Sequence, residues 1–319
     1  MKILLSAPTN LKTVPMSGFA KNALEKLGHS VEIIPCRESK AGRILKKLGL
    51  SKGIDAITRK AILKEKWDLF LAIYGFDIST DTLRLLKEQQ IPSACWWLND
   101  PFQFERSIQK SNHFDYYFTN AIGNIAAYKK LGTNAYHLPT ACEPSIHKSV
   151  TKVAKYACDV CFAGDWNPTR EQLVSSLLNL CNIKVFGPWG KKISKDSPIR
   201  KVLQDGFFTP QEMVEMFSSA KITLNIHSWF ETYNHGTNPR LFEAASCGAF
   251  QLTDWKQEMD LIFKEGQSII TYKNLSEVPT LVEKYLKLPQ EREMIAKATQ
   301  NIVLNEHTYI HRMKNLLET

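Results

Sequence analysis

The stretch ITLNI at residues 222–226, followed by GTNPRLFEAASCGAFQL at residues 236–252, decides the fold. Its apolar runs at 222–226 and 250–252 predict two buried strands, and the segment 240–246 between them predicts a helix. Asn238 suits the N-cap of that helix, Pro239 its first residue and Gly248 the position just beyond its end. A strand, a helix and a second strand in this order form the repeating unit of a parallel sheet.

The same alternation of strands and helices runs along the whole chain. Further strands are predicted at residues 2–6, 31–34, 67–73, 93–98, 116–119, 135–138, 158–163 and 183–186. Helices are predicted from Ser17 onward and at residues 80–90, 125–128, 171–180, 211–218 and 276–317, and the basic segment 37–66 also has a helical period. The fold class is therefore α/β, with two Rossmann-like β/α/β domains facing a cleft.

A chain of 319 residues fits two domains of about 150 residues each. The polar segment 143–156 is the predicted linker. We expect an acceptor domain at 1–145, a nucleotide-sugar donor domain at 157–300, and a C-terminal helix at 301–319 that packs back on the first domain. The loop 6–18 carries a single glycine and no dinucleotide fingerprint, which favours the first domain as the acceptor domain.

The composition is that of a globular protein, with 44% hydrophobic and 23% charged residues. No apolar run reaches the roughly 18–20 residues that span a bilayer, and the opening MKILLSAP lacks the pattern of a signal peptide. Seven cysteines, an odd number, fit a reducing compartment, so we expect a cytoplasmic location. The net charge of +9 suits an anionic partner: a nucleotide diphosphate, a nucleic acid or an anionic membrane surface.

Two loops of the second half share one design, in which a strand is followed by asparagine, proline and an arginine. Arg170 follows Asn167 and Pro168, and Arg240 follows Asn238 and Pro239. An arginine in the first turn of a helix faces the positive end of the helix dipole, so its presence in both loops suggests a bound anion such as a diphosphate. The alternative is that both arginines are solvated or pair with nearby glutamates.

Glu243 lies one turn beyond Arg240 among apolar neighbours, and a carboxylate in such a position needs a partner. A ribose diol is one candidate partner. The alternative is an intrahelical ion pair with Arg240, three residues earlier.

The segment 237–250 resembles the signature of CgeB-like (spore-maturation-type) glycosyltransferases, which have a GT-B fold of the glycosyl transferases group 1 type. Similar segments are WLNDP at 97–101, FAG at 162–164, VFGPW at 185–189 and the stretch 219–225. The resemblance covers nearly the whole chain and is strongest at Asn238, Arg240 and Glu243.

This resemblance implies a hexosyl or related transferase whose donor is a nucleotide-diphosphate sugar, UDP- or GDP-linked. Glu243 would bind the ribose, and Arg170 and Arg240 would bind the phosphates. The remaining implied donor-binding residues are Gly164, Asn238 and the base pocket formed by Gly187, Pro188 and Trp189.

Asp100 is the candidate catalytic residue, acting as general base on an acceptor hydroxyl. The family often has two aspartates before the proline, whereas this chain has Asn99 and Asp100. The alternative role of Asp100 is to cap the turn before Pro101. In a retaining enzyme no side-chain base is needed, because the leaving diphosphate takes the proton while Arg170 and Arg240 stabilise its charge.

No cofactor is expected, and metal independence is expected because the chain contains no Asp-x-Asp sequence. Cys158 and Cys161 have the C-x-x-C spacing, but no second pair follows and residues three apart on a strand face opposite ways. His235 precedes Asn238 and could contact a phosphate, while Trp229, Phe230 and Tyr233 in the same loop could stack on a sugar or form a lid.

Three readings remain open. A glycosyltransferase needs a nucleotide sugar and an acceptor, which the sequence does not identify beyond a glycan, a protein or a cell-envelope polymer. A sugar-nucleotide epimerase of the same architecture needs no acceptor. A nucleic-acid- or anion-binding protein would use the positive charge, but the charges are spread, so no nucleic acid is expected. Three roles are open for the lysine-rich segment 40–66: it forms a solvated helical face, binds an anionic acceptor, or makes a peripheral membrane contact.

Overall fold

The computed structural model describes residues 1–9, 15–37, 53–75 and 78–319. These residues form two compact units, one of Met1–Thr140 with Tyr309–Thr319 and one of Ala141–Thr308. About half of the lysine-rich segment and part of the loop 6–18 lie outside the described residues. No helix in the described ranges is long and apolar enough to cross a membrane.

The first unit is built on a six-stranded parallel sheet with the strand order β2-β1-β3-β4-β5-β6. Its strands are β1 (Lys2–Ala7), β2 (Ser30–Pro35), β3 (Leu69–Ile73), β4 (Ser93–Trp97), β5 (Tyr116–Thr119) and β6 (Ala135–His137). β3 and β4 are buried along their whole length, as expected for central strands covered on both faces.

Helices connect these strands. They are α1 (Met16–Lys26), α2 (Gly53–Ile62), α3 (Thr80–Glu88), α4 (Phe104–Ser107), α5 (Ile125–Lys130) and, from the far end of the chain, α12 (Tyr309–Glu318). The last helix packs against α1, where the rings of Phe19 and Tyr309 lie 5.3 Å apart. The C-terminal segment therefore completes the core of the first unit.

The second unit has the same design, with six parallel strands in the order β12-β11-β10-β7-β8-β9. Its strands are β7 (Cys158–Ala163), β8 (Ile183–Gly187), β9 (Leu203–Asp205), β10 (Ala220–Asn225), β11 (Gln251–Asp254) and β12 (Ile270–Tyr272). Its helices are α6 (Pro168–Ser175), α7 (Pro210–Ser219), α8 (Pro239–Ser246), α9 (Met259–Ile262), α10 (Val278–Leu286) and α11 (Pro289–Glu306). β7 and β10 lie side by side at the centre of this sheet.

The predicted α/β class is confirmed, and all ten predicted strands are present within a residue or two at each end. Two strands were missed. β9 and β12 are three-residue strands at the two edges of the second sheet, and β9 is largely exposed, so neither shows the apolar run that marks a buried strand.

Two loops of the second unit approach each other closely at Gly164 and Gly187. Gly187 has φ = 152°, and a Cβ added to it would lie 2.1 Å from the carbonyl oxygen of Gly164. The same oxygen accepts a hydrogen bond of 2.9 Å from Nε1 of the buried Trp189. Glycine at position 187 is therefore a steric requirement for the two strand ends to meet.

We expect Gly187→Ala to lower the free energy of unfolding by about 2–4 kcal/mol, because the new methyl group meets backbone and the φ value disfavours an L-residue. Gly266→Ala is the matched control, since Gly266 also has a positive φ (74°) but no atom within 4 Å of an added Cβ. Urea denaturation of both variants checks the prediction. Equal losses in the two variants would show that the close approach to Gly164 contributes nothing.

Candidate functional site

The carboxyl ends of β7 and β10 each lead into a loop and then into a helix that begins with proline. α6 is capped by Asn167, whose Oδ1 accepts the N–H of Arg170 at 2.8 Å. α8 is capped by Asn238, whose Oδ1 accepts the N–H of Leu241 at 3.2 Å. Both predicted helix starts are confirmed, and because the two strands are adjacent, both helix N-termini follow the same edge of the sheet.

Arg170 lies at this edge and forms no ion pair with any described residue, although the charges of Asp165 and Asp254 act on it from further away. Its guanidinium donates to the carbonyl oxygens of Asp165 and Ile226, both at 2.8 Å, and lies 5.5 Å from the ring centre of Phe162. In the described part of the chain, no carboxylate oxygen lies within 4.0 Å of it and its Nε has no hydrogen-bond partner. Burial lowers the pKa of Arg170, as expected for a poorly solvated cation. An anion bound here would supply the missing charge.

Below the loop after β10 lies a buried network of charged groups. Asp254 Oδ1 accepts hydrogen bonds from the backbone N–H of His227 (2.9 Å) and from its Nδ1 (2.7 Å), and Asp254 Oδ2 lies 2.8 Å from Nζ of Lys256. Burial alone would raise the pKa of Asp254, but His227 and Lys256 outweigh burial and lower it to about 2. The carboxylate is therefore ionised at neutral pH and holds both partners in place.

His227 connects Asp254 to the start of α8. With Nδ1 donating to Asp254, its Nε2 is free of a proton and accepts the backbone N–H of Asn238 at 3.0 Å. Burial lowers the pKa of His227, which favours this neutral form. The amide of Asn238 also exchanges hydrogen bonds with Asn225, at 2.9 and 3.2 Å, so the cap residue is fixed from two sides.

Arg240 points along α8 toward α7 rather than into solvent. Its Nη1 contacts Glu243 and Met213, and its guanidinium lies 5.7 Å from the ring centres of both Phe208 and Phe217. The intrahelical ion pair considered from the sequence is therefore present. Arg240 keeps 17% of its side chain exposed, whereas Glu243 keeps 1%.

Glu243 has a second buried neighbour, His147. One oxygen of Glu243 is taken by Arg240, while the other, Oε1, has no hydrogen-bond partner among the described residues and lies 4.0 Å from Nε2 of His147. The Nδ1 of His147 accepts the backbone N–H of Glu143 at 3.0 Å, which leaves the ring proton on Nε2, facing Glu243. Burial lowers the pKa of His147, so the ring is neutral.

The remaining predicted donor-binding residues occupy different environments. Gly164 ends β7 beside Arg170, and Pro188 is half-buried after β8. Trp189 is fully buried against Phe162, so its indole supports the loop from inside and is not available to stack on a base. His235 is half-buried beside Tyr233, and burial followed by the charge of Lys256 lowers its pKa.

Asp100 belongs to the first unit and is fully buried at the end of β4. Its Oδ2 accepts hydrogen bonds of 2.6 Å from the hydroxyls of Thr119 and Tyr128, and its backbone is bonded to Asn120. Burial raises the pKa of Asp100 to about 6, although these hydrogen bonds act in the opposite direction. Its Oδ1 has no hydrogen-bond partner among the described residues. Its full burial and the two hydroxyl groups bound to Oδ2 favour the structural role over that of a general base.

We expect Asp100→Asn to remove a pH dependence of stability. In the native state the carboxyl keeps its proton up to about pH 6, whereas in the unfolded chain it loses it near pH 4, so native stability falls as pH rises through this window. Wild type should lose about 3 kcal/mol between pH 4 and pH 6 relative to the variant, as measured by urea denaturation. A fall in turnover of 100-fold or more with unchanged stability would instead identify a general base.

The described residues give no indication that Cys158 and Cys161 bind a metal ion. None of the seven cysteines forms a disulfide, and no group of three or more potential metal-ligating side chains occurs within the described ranges. Burial raises the pKa of both thiols, which keeps them protonated and unreactive.

Comparison with known proteins agrees with this geometry. Residues 170–318 match a family described as glycosyl transferase-like. The spore protein CgeB of Bacillus subtilis (strain 168) is 27% identical over 261 residues, which is 76% of this chain and 79% of CgeB. The fold is similar to that of sucrose-phosphate synthase from Thermosynechococcus elongatus (TM-score 0.71, 9% identity, 99% and 97% of the chains covered).

Two further solved structures share this fold. Anabaena HepE in complex with UDP-glucose aligns with a TM-score of 0.68 at 13% identity, covering 100% and 98% of the chains. A putative UDP-N-acetylglucosamine 2-epimerase from Listeria monocytogenes aligns with a TM-score of 0.57 at 10% identity, covering 99% and 94%. The resemblance predicted from the sequence is thereby confirmed. The chain therefore resembles the spore protein CgeB and carries a glycosyl transferase-like region at residues 170–318, and its fold is that of GT-B glycosyltransferases.

Sequence reasoning missed the residues that hold this site together. Asp254, Lys256 and His147 are nearly fully buried, and none of them belongs to a motif that we recognised. A charged residue directly after a short apolar strand, as in LTDWK at 252–256, was the available signal, because buried charges occur where they have partners.

Proposed function

We propose that this protein transfers a sugar from a nucleotide-diphosphate donor that binds to the second unit. The diphosphate is held by Arg170 and by the N-termini of α6 and α8. The observation that carries this proposal is the half-buried Arg170, whose guanidinium has no counter-ion among the described residues and lies beside the Asn-capped start of α6. Helix N-termini and guanidinium groups together form a phosphate site.

The nucleoside is held next to the diphosphate. Glu243 binds the ribose diol, and Arg240 orients Glu243 while its exposed fraction contacts phosphate. Gly187 and Pro188 contact the base with backbone and ring atoms. HepE has been solved with UDP and with UDP-glucose, so a uridine donor is the first to test, ahead of a guanosine donor.

Arg170 gives this site a way to work without a metal ion. A leaving diphosphate develops negative charge, and a fixed guanidinium with exposed helix N–H groups stabilises that charge. The first unit takes the acceptor, which is a glycan, a protein or a cell-envelope polymer. Seven cysteines that form no disulfide fit a cytoplasmic enzyme.

A thermal-shift titration with UDP, GDP, ADP and CDP tests the proposal. One nucleotide should stabilise the wild type, and stabilisation should be lost in both Arg240→Ala and Glu243→Ala, each compared with its own melting temperature without ligand. Failure of all four nucleotides to stabilise the wild type would reject the proposed site.

Product analysis separates the transferase from the epimerase reading. An epimerase converts its sugar nucleotide without any acceptor, whereas a transferase leaves the sugar's configuration at C2 unchanged. Incubation of the protein with the best-binding nucleotide sugar alone, followed by NMR of the sugar, should show no epimer. Accumulation of an epimer would replace the transferase assignment.

A further inference from the structure

A cavity lies at the same edge of the second unit, next to the proposed phosphate site. It is open to solvent, has a volume of about 450 Å³, and is lined by the loop 230–234 and by residues that follow β11 and β12: Trp255, Lys256 and Lys273. This volume falls in the range of about 300–1,000 Å³ that is typical of small-molecule sites. None of its lining residues takes part in the proposed binding of diphosphate, ribose or base.

The walls of this cavity are held by buried groups, so its shape is preformed. Lys256 donates from Nζ to the carbonyl oxygen of Tyr233 at 2.9 Å, and the backbone N–H of Gln257 donates to the carbonyl oxygen of Asn234 at 2.8 Å. Nε1 of Trp255 donates to Asp260 at 3.0 Å. The buried ion pair of Lys256 with Asp254 therefore ties the exposed part of the loop to β11.

The lining combines aromatic faces with hydrogen-bonding edges. Phe230 and Trp255 are half-buried, and Tyr233 keeps 38% of its surface exposed. Glu231 is exposed and accepts a hydrogen bond of 3.0 Å from Thr169, and Nζ of Lys273 lies 4.7 Å from the ring centre of Trp255. A ligand with an apolar face and a rim of hydroxyl groups matches this lining, and a pyranose ring has both.

The charges in the cavity argue against an anionic ligand. Lys256 is neutralised by Asp254, and the two exposed lining residues Lys273 and Glu231 carry opposite formal charges. This differs from the position of Arg170, where a cation has no counter-ion among the described residues. A ligand without net charge therefore fits these lining charges.

The cavity begins beside the proposed phosphate site and extends away from it. Glu231 accepts a hydrogen bond from Thr169, the residue before Arg170, while Trp255 and Lys273 follow β11 and β12, one and two strands from β10. Neighbouring strands are about 4.8 Å apart, so the far wall of the cavity lies roughly 10 Å across the sheet from β10, and a ligand in the cavity lies next to a sugar carried by the diphosphate.

We propose that this cavity is a subsite for an uncharged sugar unit of a glycan acceptor, stacked against Tyr233 and Trp255. The inference rests on the proposed transferase function. It narrows the acceptor from the classes left open by the sequence to a carbohydrate, and it places part of that acceptor on the second unit.

Calorimetric titration with maltotriose, cellotriose and triacetylchitotriose tests the subsite. At least one of these probes should bind the wild type, and Tyr233→Ala and Trp255→Leu should each weaken that binding at least tenfold. Phe102→Ala is the control, because Phe102 is an exposed aromatic residue (61%) of the other unit. All variants should keep the wild-type thermal shift with UDP, which also shows that they fold.

The results separate this inference from the proposed function. A nucleotide shift without binding of any trisaccharide rejects the subsite and leaves the nucleotide site standing. If both variants retain trisaccharide binding, the sugar binds elsewhere and the subsite is rejected. If UDP-glucose displaces the trisaccharide but UDP does not, the trisaccharide occupies the place of the donor's sugar, and the subsite is also rejected. Trisaccharide binding lost in both variants, with no nucleotide shift, supports the sugar site and rejects the transferase assignment.

Discussion

Arg170→Ala should weaken the binding of UDP by about 10- to 100-fold and leave the binding of uridine unchanged. A hydrogen bond to a charged group contributes about 1.5–3 kcal/mol, and a factor of ten in affinity corresponds to about 1.4 kcal/mol. The guanidinium of Arg170 has no carboxylate partner among the described residues, so a phosphate is its first ionic partner. Calorimetric titration with UDP, UMP and uridine, which carry two, one and no phosphates, measures how the loss of affinity depends on each phosphate.

Arg292→Ala is the matched control for this measurement. Arg292 also donates to backbone carbonyls, those of Tyr285 and Leu286, and burial also lowers its pKa. It lies near Lys221, the second residue of β10, at the opposite edge of the sheet. Equal losses of UDP affinity in the two variants, or an equal loss for uridine in Arg170→Ala, would mean that Arg170 acts through the fold and not through phosphate.

The fold could be predicted from the sequence where local patterns are strong. The central strands are runs of apolar residues, and the starts of α6 and α8 are fixed by Asn167 and Asn238 with their following prolines. The end of α6 was predicted five residues too late, because the apolar period continues past Ser175 through a turn around Leu177. Periodicity reports which residues are buried, and a turn can bury the same residues as a helix.

The candidate site could be predicted in part. The sequence places Arg170, Arg240 and Glu243 near helix starts, since that depends on spacing alone. Spacing also offers the intrahelical ion pair of Arg240 with Glu243. It does not show that Arg170 forms no ion pair among the described residues, because that depends on which strands become neighbours. For the same reason the contact between His147 and Glu243, 96 residues apart, has no signal in the sequence.

Asp254→Ala is expected to be the most destabilising change near the site. It leaves Lys256 buried without its counter-ion and removes the acceptor of His227, and breaking a buried ion pair costs about 3–5 kcal/mol. Asp159→Ala is the control, since Asp159 forms an ion pair of the same length, 2.8 Å, with the exposed Lys221 in the same unit. Such a surface pair is worth about 0–1 kcal/mol.

The pH dependence identifies Asp254 as the source of this stability. Its native pKa is about 2 and its unfolded pKa about 4, so its contribution is complete above pH 4 and disappears as pH falls from about 4 to 2. The difference in unfolding free energy between wild type and Asp254→Ala, measured in urea at several pH values, should therefore be constant from pH 5 to 7 and shrink below pH 4. Because His227 connects Asp254 to Asn238, the variant should also bind UDP more weakly at neutral pH. A variant that is destabilised but binds UDP normally would show that the network supports the core without positioning the start of α8.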